Sequence, residues 1–248
     1  MILELDCGNS LIKWRVITPA GELISSGLAR GEEGLIDAFD VAVGPEVLLC
    51  RLVSVRSSEE TGRLVRLIKS RFSVDTLCAQ PAKELGGVRN GYSDFRALGL
   101  DRWLALVGAY QRTMKACLVI DLGTAVTSDF LSSSGDHLGG FICPGIPLLR
   151  GQLKAHTCKI RYDGRAAHGL LNSLQPGRST MEAVERGCQL MLLGFVKEQI
   201  EIARRYWQED FDLYLTGGDA GLLSDDFPKA KVMSDLVFAG LALACPIP

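Results

Sequence analysis

The sequence has few of the features that mark a membrane, secreted or nucleic-acid-binding protein. Its 27 Lys and Arg residues nearly balance 29 Asp and Glu residues, and the net charge of −2 predicts no general attraction to nucleic acid or acidic membranes. It contains no apolar run that is long and charge-free enough to span a bilayer, and no basic leader ahead of an apolar segment. We therefore expect a cytoplasmic protein with neither membrane nor nucleic acid among its partners.

The sequence also lacks the residue spacings of a zinc site or a disulfide framework. Its eight cysteines are scattered without a Cys-x-x-Cys pair, and its three histidines lack the spacing of metal ligands. This pattern favours reduced, mostly buried thiols. The 248 residues are 47% hydrophobic, which allows a sizeable core in one large or two small domains.

One stretch in the middle of the chain combines a buried strand with groups that bind phosphate. Leu118 to Ile120 predicts a strand that ends at the carboxylate of Asp121. Gly123 then allows a sharp turn or a close approach to a ligand, and Thr124 adds a hydroxyl. A carboxylate, a glycine backbone without a side chain and a hydroxyl together suit a magnesium-bound phosphate. A single copy also has a simpler explanation, since Asp before Gly often caps a turn.

The N-terminus contains a second copy of this stretch, which favours the functional interpretation. Aligning Asp6 with Asp121 also aligns Gly8 with Gly123 and Asn9 with Thr124, without a gap. A predicted strand and a glycine-containing turn follow each copy. The repeat predicts two like domains, 1–115 and 116–248, that face each other across a cleft.

The remaining pattern alternates strands with helices, as in an α/β protein. Ser57 to Glu60 predicts a helix start, and Ser179 to Glu182 has the spacing of a capping box. The stretch 139–145 predicts a rigid glycine-rich loop, and 161–177 predicts a turn-rich loop. Helices are predicted for 32–39, 61–71, 99–112, 146–153, 180–207 and 235–244, the last capped by Ser234, and apolar strands for 47–55, 74–77 and 213–216.

Three candidate features have an ordinary structural explanation beside the functional one. Tyr92 is either a packing aromatic or a loop residue that faces a ligand, and the residues alone leave these even. Asp101, near the start of a predicted helix, is as an isolated observation more simply a cap or a dipole partner. Gly217-Gly218 is either only a turn or a place where a flat ligand lies against backbone.

Together, these motifs resemble the phosphate motifs of the superfamily that contains acetate and sugar kinases, heat-shock chaperones and actin. Within it, the sequence is most similar to type III pantothenate kinases, including relatives named Bvg accessory factors. The resemblance implies an α/β fold of two similar ribonuclease H-like domains, each a mixed sheet flanked by helices, as in actin-like ATPases. The matching stretches cover most of the chain: Asp6-Cys7-Gly8-Asn9-Ser10 with Lys13, Tyr92, Gly99-Leu100-Asp101-Arg102, Asp121 to Asp129, Gly139-Gly140 with Pro144-Gly145, Thr180 and Gly217-Gly218.

The resemblance implies transfer of the γ-phosphate of ATP to the primary hydroxyl of pantothenate, the first step toward coenzyme A. It also implies magnesium and a monovalent cation, potassium or ammonium, that Asp121 helps to hold. By similarity, Asp6 also contacts the metal. The nucleotide and its phosphates would contact Asp6, Cys7, Gly8, Asn9, Ser10 and Lys13 in one domain, and Thr124, Gly217 and Gly218 in the other.

The resemblance also implies an acceptor site around the stretch 99–102. Asp101 would be the general base, and Arg102 would offer a planar donor fork to the carboxylate of pantothenate. Tyr92, Gly99 and Leu100 would line the pocket. Thr180 would complete it near the seam of a homodimer.

Two departures from the family pattern concern loops. Phe95 stands where the family often has proline, and 157–161 replaces a family stretch of Thr-Ala-x-Leu-Pro. Neither departure removes a group assigned to the chemistry.

Two other functions stay open. One alternative is a related kinase that phosphorylates a sugar or another small hydroxylated acid. The other is a nucleotide-binding regulator without phosphoryl transfer.

Overall fold

The computed structural model describes residues 1–43, 46–157, 160, 175–207 and 210–247. The chain divides into two compact units, Met1–Arg112 together with Asp235–Pro248, and Thr113–Ser234. The sequence-based division into 1–115 and 116–248 differs from this at the C-terminal end, because the last helix packs with the first unit. The 157–161 departure and the predicted loop 161–177 fall largely outside the described residues.

The first unit is built on a mixed five-stranded sheet. Its strands are β1 (Ile2–Cys7), β2 (Ile12–Ile17), β3 (Leu23–Ala29), β4 (Leu49–Ser54) and β5 (Thr76–Cys78), in the order β3-β2-β1-β4-β5. β1 pairs antiparallel with β2 and parallel with β4, so it lies at the centre of the sheet. Helices α1 (Gly31–Ala42) and α2 (Ser58–Phe72) pack their apolar sides into the core of this sheet. A short hairpin of β6 (Glu84–Leu85) and β7 (Val88–Arg89) then leads to α3 (Leu100–Thr113).

The second unit repeats the same sheet. Its elements are β8 (Cys117–Leu122), β9 (Ala125–Leu131), β10 (His137–Pro144), α4 (Ile146–His156), α5 (Thr180–Tyr206), β11 (Asp212–Thr216) and β12 (Lys231–Val232). The strand order is β10-β9-β8-β11-β12, with β8 antiparallel to β9 and parallel to β11. Order and direction match the first sheet strand for strand, which confirms the internal repeat and the α/β class.

The last helix, α6 (Leu236–Ala244), belongs to the first unit because it contacts α3 backbone to backbone. A Cβ atom added at Gly108 of α3 would lie 2.2 Å from the carbonyl oxygen of Leu236, and one at Gly240 would lie 2.1 Å from that of Leu104. α6 is apolar but too short to cross a membrane, and no helix of the described residues is long and apolar enough to do so.

Helix starts follow the sequence signals only in part. Ser57 and Glu60 form the reciprocal capping box at the start of α2. At α5, the Ser179 hydroxyl accepts from the Glu182 N–H, but the Glu182 carboxylate accepts from the Arg178 N–H, so the box is not reciprocal. The predicted cap of α6 was wrong by one residue: the N-cap position is Asp235, whose carboxylate instead accepts from Arg112 at 2.9 Å.

The glycine-rich stretch 139–145 is mostly strand, and its prediction as a loop was wrong. Residues 139–144 belong to β10, because β9 offers a complete antiparallel partner with Phe141 opposite Ser128. Gly139 has φ +108° at an irregularity of the pairing, a conformation that glycine adopts without a steric penalty.

A fully buried carboxylate joins the three central strands of the first sheet. Glu4 on β1 accepts from Arg51 Nη1 of β4 at 2.9 Å and from Arg15 Nε of β2 at 2.5 Å. Directly opposite positions on neighbouring strands share one face of the sheet, so the three side chains meet there. This ion-pair network explains the arginine that interrupts the otherwise apolar β4.

Candidate active site

The first acidic turn begins at the end of the central strand β1. Asp6 is only 7% exposed and lies directly opposite Lys13 on β2, with Lys13 Nζ 3.9 Å from Asp6 Oδ2. The structure therefore brings these two predicted phosphate-site residues together on one face. Asn9 and Ser10 follow as exposed residues of the turn.

An arginine that the sequence analysis did not identify holds this turn in place. Arg56 Nε donates to the carbonyl oxygen of Gly8 at 2.8 Å, and the Val55 N–H donates to that of Cys7 at 3.2 Å. No local signal could have identified Arg56, since it lies 48 residues away from Gly8 along the chain. Burial, followed by the charge of Asp6, raises the pKa of the Cys7 thiol to about 12, so this thiol stays neutral and does not act as a nucleophile.

The second acidic turn lies at the carboxyl ends of two parallel strands. Asp121 on β8 pairs in register with Thr216 on β11, directly before Gly217. Gly217 has φ +91°, and a Cβ atom there would lie 2.5 Å from Asp121 Oδ1. A Cβ atom at Gly218 would meet nothing within 4 Å. Gly217 is therefore required by the positive φ of the turn and by the space that the Asp121 carboxylate occupies. Gly218, in contrast, leaves an open backbone surface.

Another glycine packs on the opposite side of this turn. The Gly145 N–H donates to the carbonyl oxygen of Thr124 at 3.0 Å, and a Cβ atom at Gly145 would lie 2.1 Å from that of Gly123. Thr124 itself is half-buried. The sequence alone explains Gly145, directly after β10, equally well as part of a linking turn. In the structure, this glycine supports the backbone that is predicted to bind nucleotide.

Two of the predicted acceptor residues contact each other in the first unit. Arg102 Nη1 donates to the hydroxyl of Tyr92 at 3.0 Å, and its guanidinium carbon lies 5.7 Å from the centroid of the Tyr92 ring. Arg102 is 8% exposed. The side chain of Asn90 accepts from the Tyr92 N–H at 3.0 Å and so fixes the loop that carries the ring. Tyr92 therefore orients the arginine.

Asp101 occupies the first turn of α3 and is folded against the backbone. Its Oδ1 accepts from the N–H of Arg102 at 2.8 Å. A Cβ atom at Gly99 would lie only 2.7 Å from this oxygen, so glycine makes the room that the carboxylate occupies. Leu100 between them is half-buried, and Thr180 begins α5 as an exposed residue of the second unit.

The oxygen groups of both turns fit the cations that the sequence resemblance implies. Among the described residues, no three His, Cys, Asp or Glu side chains cluster to form a complete metal cage. A magnesium ion that reaches the protein with phosphate suits such a site, because it keeps several waters and needs only one or two carboxylates. Asp6 offers one carboxylate. In the second unit, Asp121 offers the carboxylate that would help to hold the monovalent cation, with its Oδ1 beside Gly217.

Comparison with known proteins adds sequence and fold similarity to this geometry. The family model described as type III pantothenate kinase matches residues 2–202. A type III pantothenate kinase of Pseudomonas fluorescens (strain Pf0-1) is 56% identical over 248 residues, which are 100% of both chains. A Campylobacter jejuni structure described as a Baf family transcriptional activator has a TM-score of 0.61 at 23% identity, covering 98% of this chain and 96% of that one. A Sinorhizobium meliloti structure described as a 2-dehydro-3-deoxygalactonokinase has a TM-score of 0.53 at 14% identity, covering 98% of both. The two structures show a common fold.

Proposed function

This chain belongs to the type III pantothenate kinase family, and we propose that it transfers the terminal phosphoryl group of ATP to the primary hydroxyl of pantothenate. The observation that carries this conclusion is the high identity to a type III pantothenate kinase over the full length of both chains. The chain is therefore a phosphotransferase of coenzyme A biosynthesis. The remote likeness to a transcriptional activator concerns the fold alone and does not favour a regulator.

In the first unit, we propose that Asp6, Lys13 and the turn 7–10 bind the phosphates. Phosphoryl transfer requires a protein mainly to position groups and to neutralise charge. The contact of Lys13 with Asp6 supports this role, because an ammonium and a carboxylate side by side can serve a phosphate and a magnesium ion together. Asp6 would hold a magnesium ion here, and the ion would offset the negative charge of the phosphates.

In the second unit, we propose that Thr124, Gly217 and Gly218 contact the nucleotide. The open backbone at Gly218 supports this, since a flat base or ribose can lie against it. Asp121 would contribute its carboxylate to a site for potassium or ammonium. The Asp121 carboxylate lies beside Gly217, whose lack of a side chain leaves room for it.

At the acceptor, we propose that Asp101 takes the proton of the pantothenate hydroxyl. Its position in the first turn of α3, next to Arg102, supports this role, because a base must lie within reach of the bound acceptor. Arg102 would bind the pantothenate carboxylate, held in orientation by the hydroxyl of Tyr92. Gly99 and Leu100 would line the same site.

We also propose a cytoplasmic homodimer in which Thr180 completes the acceptor site near the dimer seam. The exposed position of Thr180 at the start of α5 is compatible with this role. Sedimentation equilibrium of the purified chain measures the assembly directly. A monomer at assay concentration would contradict both the dimer and the role of Thr180 near its seam.

The test of the function is an acceptor panel monitored by ADP release. The purified chain with ATP, magnesium and potassium should release ADP when pantothenate is present, and sodium in place of potassium should abolish release. Equal turnover of sugars or other hydroxy acids would reassign the acceptor. Nucleotide binding without ADP release for any acceptor would indicate the regulator instead.

A further inference from the structure

The first unit contains a pocket that the proposed function does not use. Its volume is about 540 Å³, and it lies at the carboxyl ends of β4 and β5, between the first turns of α2 and the start of α3. Leu100 is the one proposed acceptor residue in its wall, whereas Tyr92, Asp101 and Arg102 are not part of it. The polar side chains of the wall are Ser54, Arg56, Ser58, Thr61, Arg66 and Gln80.

Arg56 and Arg66 line this pocket, and among the described residues no carboxylate lines it. Arg66 folds back over α2, with Nη1 3.4 Å from the position of a Cβ atom at Gly62. Arg56 Nε donates a hydrogen bond to the carbonyl oxygen of Gly8. Glu60 lies near Arg56 but is engaged by the backbone and hydroxyl of Ser57. A wall with two arginines and no carboxylate favours the binding of an oxyanion.

The rest of the wall suits an organic ligand rather than a bare ion. Ser54 and Thr61 share a hydrogen bond of 2.8 Å, and the Ser54 hydroxyl also accepts from the backbone N–H of Arg56 at 3.2 Å. Leu52, Val65 and Leu100 supply apolar surface. The volume lies within the roughly 300 to 1,000 Å³ of pockets that bind small molecules, so an inorganic ion would leave most of it unfilled.

We propose that this pocket binds a small molecule that joins a phosphate or carboxylate group to a short apolar chain. The oxyanion would lie on Arg56 and Arg66, and the chain would lie against Val65 and Leu100. A ligand in this position would contact the arginine that holds the first acidic turn and the residue next to Asp101. Occupancy is therefore expected to change turnover as well.

The test measures binding to the full chain by calorimetry, without ATP or pantothenate, at constant ionic strength set with chloride. The probes are butyl phosphate, butyrate and inorganic phosphate. The Arg66→Gln variant should bind the preferred probe at least about tenfold more weakly than wild type. The matched control is Arg63→Gln on the same helix, whose guanidinium pairs with Glu32 and Glu59 outside the pocket.

A second control separates the pocket from the ATP phosphate site. The Lys13→Ala variant alters the proposed phosphate turn and should keep wild-type binding of the probe. Unchanged affinity in Arg66→Gln, equal loss in Arg63→Gln, loss in Lys13→Ala, or inorganic phosphate binding as tightly as butyl phosphate would each overturn the proposal. Preference for butyl phosphate or for butyrate supports it and identifies the oxyanion. A negative result in this test would not contradict the proposed kinase reaction, because binding is measured without turnover.

Discussion

Two of the proposed site carboxylates lie against glycines that have no room for a side chain. A Cβ atom would lie 2.7 Å from Asp101 Oδ1 at Gly99, and 2.5 Å from Asp121 Oδ1 at Gly217. The two positions differ in backbone, since only Gly217 has a positive φ. A methyl group at Gly99 is therefore expected mainly to displace the Asp101 carboxylate. A methyl group at Gly217 would also strain the backbone, because residues with a side chain rarely adopt a positive φ.

The substitution Asp101→Asn should remove the general base while keeping the shape of the side chain. We expect kcat for pantothenate to fall by at least about a hundredfold, with the unfolding midpoint in urea unchanged. The control is Asp94→Asn, an exposed carboxylate that accepts from the Arg96 N–H in the preceding loop. Near-normal turnover of the Asp101 variant would exclude it as the base.

The substitution Gly99→Ala should displace the Asp101 carboxylate without removing it. We expect kcat to fall by roughly ten- to hundredfold, since small misplacements of reacting groups cost about this much. The control is Gly34→Ala in α1, where the nearest atoms would lie 4.0 Å from the new Cβ. Steady-state kinetics of both variants check this, and wild-type kcat in the Gly99 variant would contradict the positioning role.

The substitution Gly217→Ala should destabilise the second unit. The positive φ and the overlap with Asp121 and Leu122 predict a loss of about 2 to 4 kcal/mol in the free energy of unfolding. Its neighbour Gly218→Ala is the matched control and should change stability by less than about 0.5 kcal/mol. Urea denaturation measures both. Equal effects at the two positions would show that the turn does not depend on the first glycine.

At the scale of elements, β1 is held by charge as well as by the sheet. Glu4 is completely buried between Arg15 of β2 and Arg51 of β4. The same strand carries Asp6 two residues later and ends at Cys7. The ion pairs thus keep the strand that carries the phosphate-site carboxylate in register with both neighbours, although a buried ion pair is not by itself a source of large net stability.

The substitution Glu4→Gln should leave the buried guanidinium of Arg51, and the partly buried one of Arg15, without this carboxylate. We expect a loss of about 3 kcal/mol or more in the free energy of unfolding, because an uncompensated buried charge is costly. The control is Glu59→Gln, whose exposed pair with Arg63 should contribute less than about 1 kcal/mol. Urea denaturation decides the matter. A loss as small as that of the control would mean that water reaches the arginines.

At the scale of the whole molecule, the chain makes two similar sheets and then returns to the first unit. α6 packs against α3 through glycines, Arg15 stacks 4.6 Å from the ring centroid of Phe238, and Arg112 pairs with Asp235. The return explains why the C-terminal segment does not belong with the residues that precede it in sequence. It also makes the first unit dependent on the last residues of the chain.

A chain that ends at Ser234 should lose the native packing of the first unit. Without α6, the surface of α3 at Leu104 and Gly108 would meet water, and the neighbouring Trp103, which is 1% exposed, would report the loss of packing. We expect a red shift of tryptophan emission and rapid cleavage within residues 100–113 by chymotrypsin. A chain that ends at Pro246 keeps α6 and serves as the control. Native emission in the shorter chain would contradict the assignment of α6 to the first unit.

Much of the fold and part of the site are predictable because they depend on local spacing. The two acidic turns, the strands beside them and the capping box of α2 are each specified by residues within a few positions of one another. The loop interpretation of 139–145 failed because a glycine-rich segment becomes a strand once β9 pairs with it. The cap of α6 failed for a related reason, since Asp235 is held by Arg112 from another helix.

The sequence by itself determined that the chain contains a duplicated strand–turn–strand unit with a carboxylate at each turn, because periodicity and glycine placement are properties of neighbouring residues. Only the tertiary structure decided which distant groups support those turns, Arg56 on Gly8 and Gly145 on Thr124, and that Arg102 contacts Tyr92. Such contacts join residues that approach only after the sheets form. The pocket beside Arg66 arises in the same way, since its wall combines β4, α2, β5 and α3.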